Sequence, residues 1–141
     1  MNEIEAFAFA LNQLDPESYS FDLEIDQLLD TTDSKIYPDL YRPIFDYFVQ
    51  HATSSVGGPG ALVHHIETYY PNYLDTLKYD LAQRPSCTTA LLANRILNSK
   101  ISAQERSEWL GLLSAICSNP FAAPEIRADA EEYLEYQRQK D

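Results

Sequence analysis

Apolar positions recur at helical spacing along nearly the whole chain. Ile4, Phe7, Leu11 and Leu14 follow one another at intervals of three or four residues, which is typical of one buried face of a helix. Alternation of the kind that marks a strand occurs only at Phe21, Leu23 and Ile25. Phe21, Ile25, Leu28 and Leu29 fit a helix face equally well, Ser20 is a plausible N-cap, and no second strand-like run exists to pair with. We therefore predict a helix over 20–30.

Five more apolar stripes with the same helical spacing follow along the chain. They contain Leu40, Ile44 and Phe48; Leu74, Leu77 and Leu81; Leu91, Leu92 and Ile96; Trp109, Leu113 and Ile116; and Ile126, Ala130 and Leu134.

Capping residues and prolines divide these stripes into separate helices. Asn2 with Glu5, and Ser102 with Glu105, have the spacing of a capping box, in which two side chains satisfy free N–H groups at a helix start. The residue before a proline avoids the helical region, so helices are expected to end at the Asp15-Pro16, Arg84-Pro85 and Asn119-Pro120 pairs. Helix starts are expected near Pro38 or Pro43, at Pro71, at Ser86 or Thr88, and at Pro124, since proline is well tolerated in a first turn. Thr31 to Ser34 is expected to be a loop, and a short helix is expected at about 61–67.

The one clear break is the segment Ser54 to Gly60, which holds three of the four glycines and is expected to be a mobile loop or hinge. The sequence thus predicts an all-α protein: one helical domain over 1–141 with a glycine-rich connector at 54–60, and a compact bundle of seven or eight short helices. Helix pairs joined by tight turns are compatible with HEAT-like stacking of α-hairpins.

Composition restricts the class of protein. The chain has 141 residues, 45% of them hydrophobic, which suits one domain with its own core. No apolar run approaches the roughly 18 residues that a membrane span needs. The acidic start, Met1 to Glu5, is unlike a secretory signal, and two isolated cysteines, Cys87 and Cys117, do not form a disulfide framework. We therefore expect a cytoplasmic protein.

The charge of the chain is strongly negative and unevenly placed. The formal net charge is −12, and residues 1–50 carry 11 acids against 2 bases. Such a field repels phosphate, so direct binding to nucleic acid or to an anionic membrane is not expected. A basic protein is the kind of partner that it attracts.

A search for catalytic or ligand-binding motifs finds none that is complete. His64 and His65 are adjacent and diverge on a helix, and the two cysteines have no neighbouring metal ligands. The segment Gly57 to Gly60 lacks the lysine of a phosphate-binding loop. We therefore expect no enzyme activity, no cofactor and no metal. A small enzyme remains a third hypothesis, which would need a deep pocket holding His64 or His65 beside a perturbed carboxylate.

The segment Arg84-Pro85-Ser86-Cys87-Thr88-Thr89-Ala90-Leu91-Leu92-Ala93-Asn94-Arg95-Ile96-Leu97-Asn98-Ser99 resembles a helix of immunity proteins from bacterial polymorphic toxin systems, including contact-dependent growth inhibition. The resemblance implies a protein that binds one cognate toxin domain, often a nuclease, and blocks it without catalysis. It carries over no site residues, and the all-helical, acidic remainder is only compatible with it.

The partner-binding face is expected where the acids are densest, among aromatic side chains that can act as anchors. The alternative function is an acidic helical adaptor for another basic protein, and the alternative face is the C-terminal cluster of Glu125, Asp129, Glu131, Glu132 and Glu135. Reversing the charge of Asp22, Glu24 and Asp26 is expected to slow association while hardly affecting the fold, because the three acids are expected to be exposed. The predicted partner-binding residues are Asp15, Glu17, Tyr19, Asp22, Glu24, Asp26, Asp30, Asp33 and Tyr37.

Overall fold

The computed structural model describes residues 1–140, and this part of the chain is all-helical, as the sequence predicts. Its elements are α1 (Glu3–Leu11), α2 (Phe21–Asp30), a 3-10 helix (Ser34–Asp39), α3 (Tyr41–Gln50), α4 (Ala61–Thr68), α5 (Leu74–Gln83), α6 (Cys87–Leu97), α7 (Ala103–Cys117) and α8 (Pro124–Lys140).

Local capping explains where several helices begin. The Asn2 side chain accepts a hydrogen bond from the Glu5 N–H at 2.8 Å and starts α1. Ser102 and Glu105 form the predicted capping box of α7. Ser86 forms another with Thr89 at the start of α6. Each such cap is worth on the order of 1 kcal/mol, because it satisfies N–H groups that have no partner within the helix.

Some predicted boundaries are wrong by a few residues. The helix expected to open at Pro71 begins at Leu74, after a turn. The first helix ends at Leu11, ahead of the Asp15-Pro16 pair. The loop expected through Ser34 already gives way there to the 3-10 helix, which contains Pro38. A 3-10 helix of six residues is too short to show a recurring apolar stripe, so hydrophobic periodicity does not reveal it.

The helices pack around one core, both on their neighbours in the chain and on helices one element away. In the C-terminal half, α5 packs on α6 and α7 on α8, as in α-hairpins, while α7 also packs on α5 and α8 on α6. In the N-terminal half, α1 packs on α2 and α3, and α2 packs on α4. The largest fully buried side chains include Trp109, Tyr47, Tyr73, Phe7, Phe21, Phe45 and Phe48. Each large apolar side chain contributes roughly 1.5–3 kcal/mol by leaving water.

The glycine-rich connector is attached to the rest of the molecule. Val56 is buried in the core with a positive φ of 49°. The Ser54 hydroxyl donates to Glu17 Oε1 at 2.6 Å. The Gly58–Pro59 peptide is cis. The connector therefore leads into α4 along a path fixed by contacts with α2 and with the turn before it.

Candidate partner-binding face

Three of the predicted acids form a row on α2. Asp22, Asp26 and Asp30 are spaced four residues apart, so they lie on one face of the helix, and all three are exposed. We call this row the acidic stripe. Glu24 lies outside it and accepts a hydrogen bond from the Ser20 hydroxyl at 3.0 Å.

Asp22 has a structural role as well as a surface position. Its Oδ1 accepts a hydrogen bond from the N–H of Ala61, the first residue of α4, at 3.1 Å. Gly60 lies so close that a Cβ built there would be 2.6 Å from the same oxygen. Asp22 thus replaces the missing side-chain cap of α4, and a carboxylate at a helix N-terminus is also favoured by the helix dipole. The expectation that charge reversal at Asp22 would leave the fold nearly untouched is therefore physically unsound.

A groove of about 490 Å³ lies between α2 and α4, beside the contact of Asp22 with Ala61. Asp22 and Asp26 line one wall, and His64 and His65 line the other. His65 Nε2 lies 3.3 Å from the carbonyl oxygen of Tyr37, and burial lowers the pKa of His65, which favours the neutral form of its ring.

The two histidines do not form a catalytic pair with the stripe in this structure. His64 Nδ1 lies 3.7 Å from Glu67 Oε1, and His65 is engaged with Tyr37. Within residues 1–140, neither histidine makes a hydrogen bond to Asp22 or Asp26. The groove thus brings histidines and carboxylates to one place without the geometry of proton transfer.

The other predicted acids make local contacts. Asp15 Oδ1 accepts from the Glu17 N–H at 2.9 Å, and Glu17 in turn accepts from Ser54. Asp33 Oδ1 accepts from the Lys35 N–H at 3.0 Å and caps the 3-10 helix. These carboxylates remain exposed, but they flank the acidic stripe rather than extend it.

The two predicted tyrosine anchors differ in accessibility. Tyr19 is fully exposed. The Tyr37 hydroxyl donates to the Leu29 carbonyl at 2.6 Å, and its ring packs edge-on against His65 at 5.3 Å. Tyr37 therefore holds the 3-10 helix against the end of α2, and only Tyr19 has its whole side chain available to a partner.

Sequence reasoning missed two exposed apolar side chains near these acids. Leu23 on α2 is 59% exposed, and Phe9 on α1 is 61% exposed. Leu23 lies off the buried face of α2, which is formed by Phe21 and Ile25. Phe9 likewise lies off the buried face of α1, which is formed by Phe7 and Leu11. That departure from the apolar stripe was the signal available in the sequence.

The acids of the N-terminal region have no lysine or arginine among them in the sequence. Residues 1–34 contain nine acids and no lysine or arginine. None of the nine forms an ion pair within the described part of the chain. The C-terminal cluster differs, because Arg138 Nη1 lies 3.2 Å from Glu135 and 3.9 Å from Glu131. The N-terminal acids therefore keep the larger unbalanced charge.

Residues 1–140 lack the features of two other classes of site. No group of three or more His, Cys, Asp or Glu side chains is placed to hold a metal ion. None of the helices combines the length and the apolar character that crossing a bilayer demands.

Compared with known protein families, curated proteins and solved structures, the chain matches none of them.

Proposed function

We propose that this protein acts by binding a basic partner protein, and that it is a cytoplasmic immunity protein that masks the active site of a cognate toxin domain, a basic nuclease. One observation carries the proposal: nine carboxylates lie in the first 34 residues without a basic residue among them or an ion pair within residues 1–140. Carboxylates close together repel one another, so apart from the capping Asp22 and Asp33 they add little to the stability of the isolated fold. Their field is available to a partner.

The chemistry of a nuclease matches this field. A protein that holds nucleic acid presents lysine and arginine to the phosphates. An inhibitor with a complementary acidic face is drawn to the same side chains, and this attraction raises the association rate. An acidic protein that occupies the nucleic-acid site needs no catalytic residue of its own.

The surroundings of the acidic stripe also suit an interface. Tyr19 and Leu23 are exposed at the beginning of α2. Interfaces gain most of their binding energy from a few such anchors, with charged side chains around them. Tyr19 and Leu23 would supply apolar contact, while Asp26 and Asp30 would pair with basic groups of the partner.

The segment that resembles immunity proteins has a different part in the structure. Residues 84–99 form the Ser86 cap and α6, most of which is buried, including Ala90, Leu92 and Ile96. The segment therefore belongs to the scaffold. Its resemblance supports the proposal only at the level of the family, and the acidic stripe supports the location of the interface.

The function is tested by co-expression with the C-terminal domain of the protein encoded by the neighbouring open reading frame. We expect a stable complex and protection of cells from that domain. Absence of both a complex and protection would contradict the immunity proposal. A complex in which the partner keeps its full activity would favour the adaptor function instead.

The face is tested by a charge reversal that leaves Asp22 in place, since Asp22 caps α4. Asp26→Lys with Asp30→Lys should slow association roughly tenfold at low ionic strength and flatten its salt dependence. Glu125→Lys with Glu132→Lys changes the net charge by the same amount on α8 and serves as the matched control. If the α8 variant loses association rate and the α2 variant does not, the interface lies on the C-terminal cluster.

A further inference from the structure

A second cavity lies on a different part of the molecule, between the turn before α5 and the end of α6. Its volume is about 290 Å³, near the lower end for small-molecule pockets. Tyr73 is its most deeply buried lining residue, at 2% exposed, and the half-exposed Tyr70 forms a wall. Arg95 and Lys100 also line the cavity.

The Tyr73 hydroxyl is an unpartnered polar group in this cavity. The ring is fixed by Phe45 at 6.3 Å and by Tyr70 at 6.1 Å between ring centroids. The hydroxyl makes no hydrogen bond to any residue of 1–140, yet it is not sealed from solvent. Burial raises the pKa of Tyr73 to about 12, with a further contribution from Glu67. The hydroxyl therefore keeps its proton and can donate a hydrogen bond to a bound molecule.

The charges around the cavity favour an anion. Arg95 Nε and Nη2 donate to the two carboxylate oxygens of Glu67 at 2.6 and 2.8 Å, which leaves Nη1 without a hydrogen bond to any residue of 1–140. Lys100 is exposed and forms no ion pair within residues 1–140. Glu67 offsets one of the two cations, so the cavity carries about one net positive charge in a chain of net charge −12.

One backbone carbonyl of the lining, that of Ile96, is already engaged in hydrogen bonds. The Ile96 carbonyl, near the end of α6, accepts from both the N–H and the hydroxyl of Ser99, at 2.9 and 2.5 Å. The Ile96 side chain adds an apolar residue to the lining that contains the two tyrosines.

We propose that this cavity binds a small aromatic carboxylate. The carboxylate accepts hydrogen bonds from the Tyr73 hydroxyl and from Arg95 Nη1, Lys100 adds positive charge, and the ring of the ligand packs between Tyr70 and Ile96. Such a site combines one apolar body with a few placed donors, which is the usual composition of small-molecule pockets. This proposal is independent of the acidic stripe and of the immunity function.

The test is a calorimetric titration of the full chain with phenylacetate, phenylacetamide and cyclohexylacetate. Phenylacetate should bind most tightly, because phenylacetamide lacks the charge and cyclohexylacetate lacks the aromatic ring. Tyr73→Phe keeps the ring and removes only the hydroxyl, so we expect about a tenfold loss of affinity for phenylacetate. Lys100→Gln should cost a few-fold and reduce the salt dependence of binding.

Lys35→Gln is the matched control, since it removes an exposed lysine from the 3-10 helix. Thermal unfolding shows whether the Tyr73→Phe variant is folded. If that variant does not fold, Lys100→Gln still tests the site, because Lys100 is exposed on the surface. The proposal is overturned if phenylacetate does not bind at millimolar concentration, or if phenylacetamide binds equally well. It is also overturned if the Lys100 and Lys35 variants lose affinity equally.

Discussion

Gln137 is the polar side chain whose replacement should cost the fold most. It is fully buried on α8, and its amide nitrogen donates to Asn94 Oδ1 at 2.7 Å and to Asn98 Oδ1 at 2.9 Å. Its amide oxygen accepts from Arg106 Nη1 at 3.1 Å. One amide therefore connects α8 to both α6 and α7. We predict that Gln137→Leu, which has a similar size and no polar atoms, will strongly destabilise the protein.

The magnitude follows from what each partner loses. Asn94 is 8% exposed, so its oxygen would be left without a partner in the interior, at a cost of about 1–3 kcal/mol. Asn98 is exposed and its Oδ1 still accepts a hydrogen bond from Lys140, so losing the bond from Gln137 costs little at this residue. The bond from the charged Arg106 is worth roughly 1.5–3 kcal/mol when intact, but Arg106 is half-buried and has a further interaction to fall back on. The expected loss is about 3 kcal/mol, which corresponds to roughly 10 °C in Tm for a domain of this size.

Urea unfolding followed by circular dichroism measures the free energy of unfolding directly. Gln139→Leu is the matched control, because this neighbour on α8 is exposed and the one hydrogen bond of its side chain within residues 1–140, to Glu135, is long at 3.4 Å. It should change stability by less than about 0.5 kcal/mol. If Gln137→Leu is as stable as the native protein with an unchanged m-value, the reasoning from unsatisfied buried groups is wrong for this site.

Three further changes test other parts of the structure. Asp22→Ala should lower the free energy of unfolding by about 1 kcal/mol through loss of the α4 cap, whereas Asp26→Ala should stay within about 0.5 kcal/mol in the same urea assay; equal effects would contradict the capping role. Tyr47→Phe removes a 2.7 Å hydrogen bond from the Tyr47 hydroxyl to the Leu14 carbonyl and should lower the free energy of unfolding by about 1 kcal/mol. An unchanged Tm would show that this bond does not stabilise the fold. Burial raises the pKa of the Asp80 carboxyl, so the folded state binds this proton more readily than the unfolded state. The contribution of Asp80 to the free energy of unfolding should therefore grow as pH falls through the folded pKa. In unfolding measured at a series of pH values, Asp80→Asn should lack that part of the pH dependence. If the variant and the native protein show the same pH profile, the raised pKa of Asp80 is contradicted.

Much of the fold could be predicted because its signals are local. Ser102 and Glu105 are three residues apart, and the cap they form needs nothing else. The apolar stripes likewise needed only a period of three to four residues. Leu91 shows the limit of this reasoning, because it lies on a predicted inner face and is only half-buried. Periodicity identifies a face, but packing against other helices decides how far each residue is covered.

The candidate site could be predicted only in part, for the same physical reason. The spacing of Asp22, Asp26 and Asp30 places them on one face once α2 is assumed to be a helix. The role of Asp22 at the start of α4 depends on a contact 39 residues away in sequence. The burial of Gln137 depends on partners 31 to 43 residues away. No local pattern distinguishes these polar side chains from exposed ones.

The fit between Asp22 and Gly60 restricts how this sequence can change over time. A Cβ at position 60 would lie 2.5 Å from the Gly57 carbonyl oxygen as well as 2.6 Å from Asp22 Oδ1. Shortening the side chain at position 22 would relieve only the second clash, since the first involves the backbone. Substitutions at the two positions therefore cannot compensate for each other. In descendants of this protein, position 60 should remain glycine while position 22 varies only among short hydrogen-bond acceptors, so folding alone restricts one of the three positions of the acidic stripe.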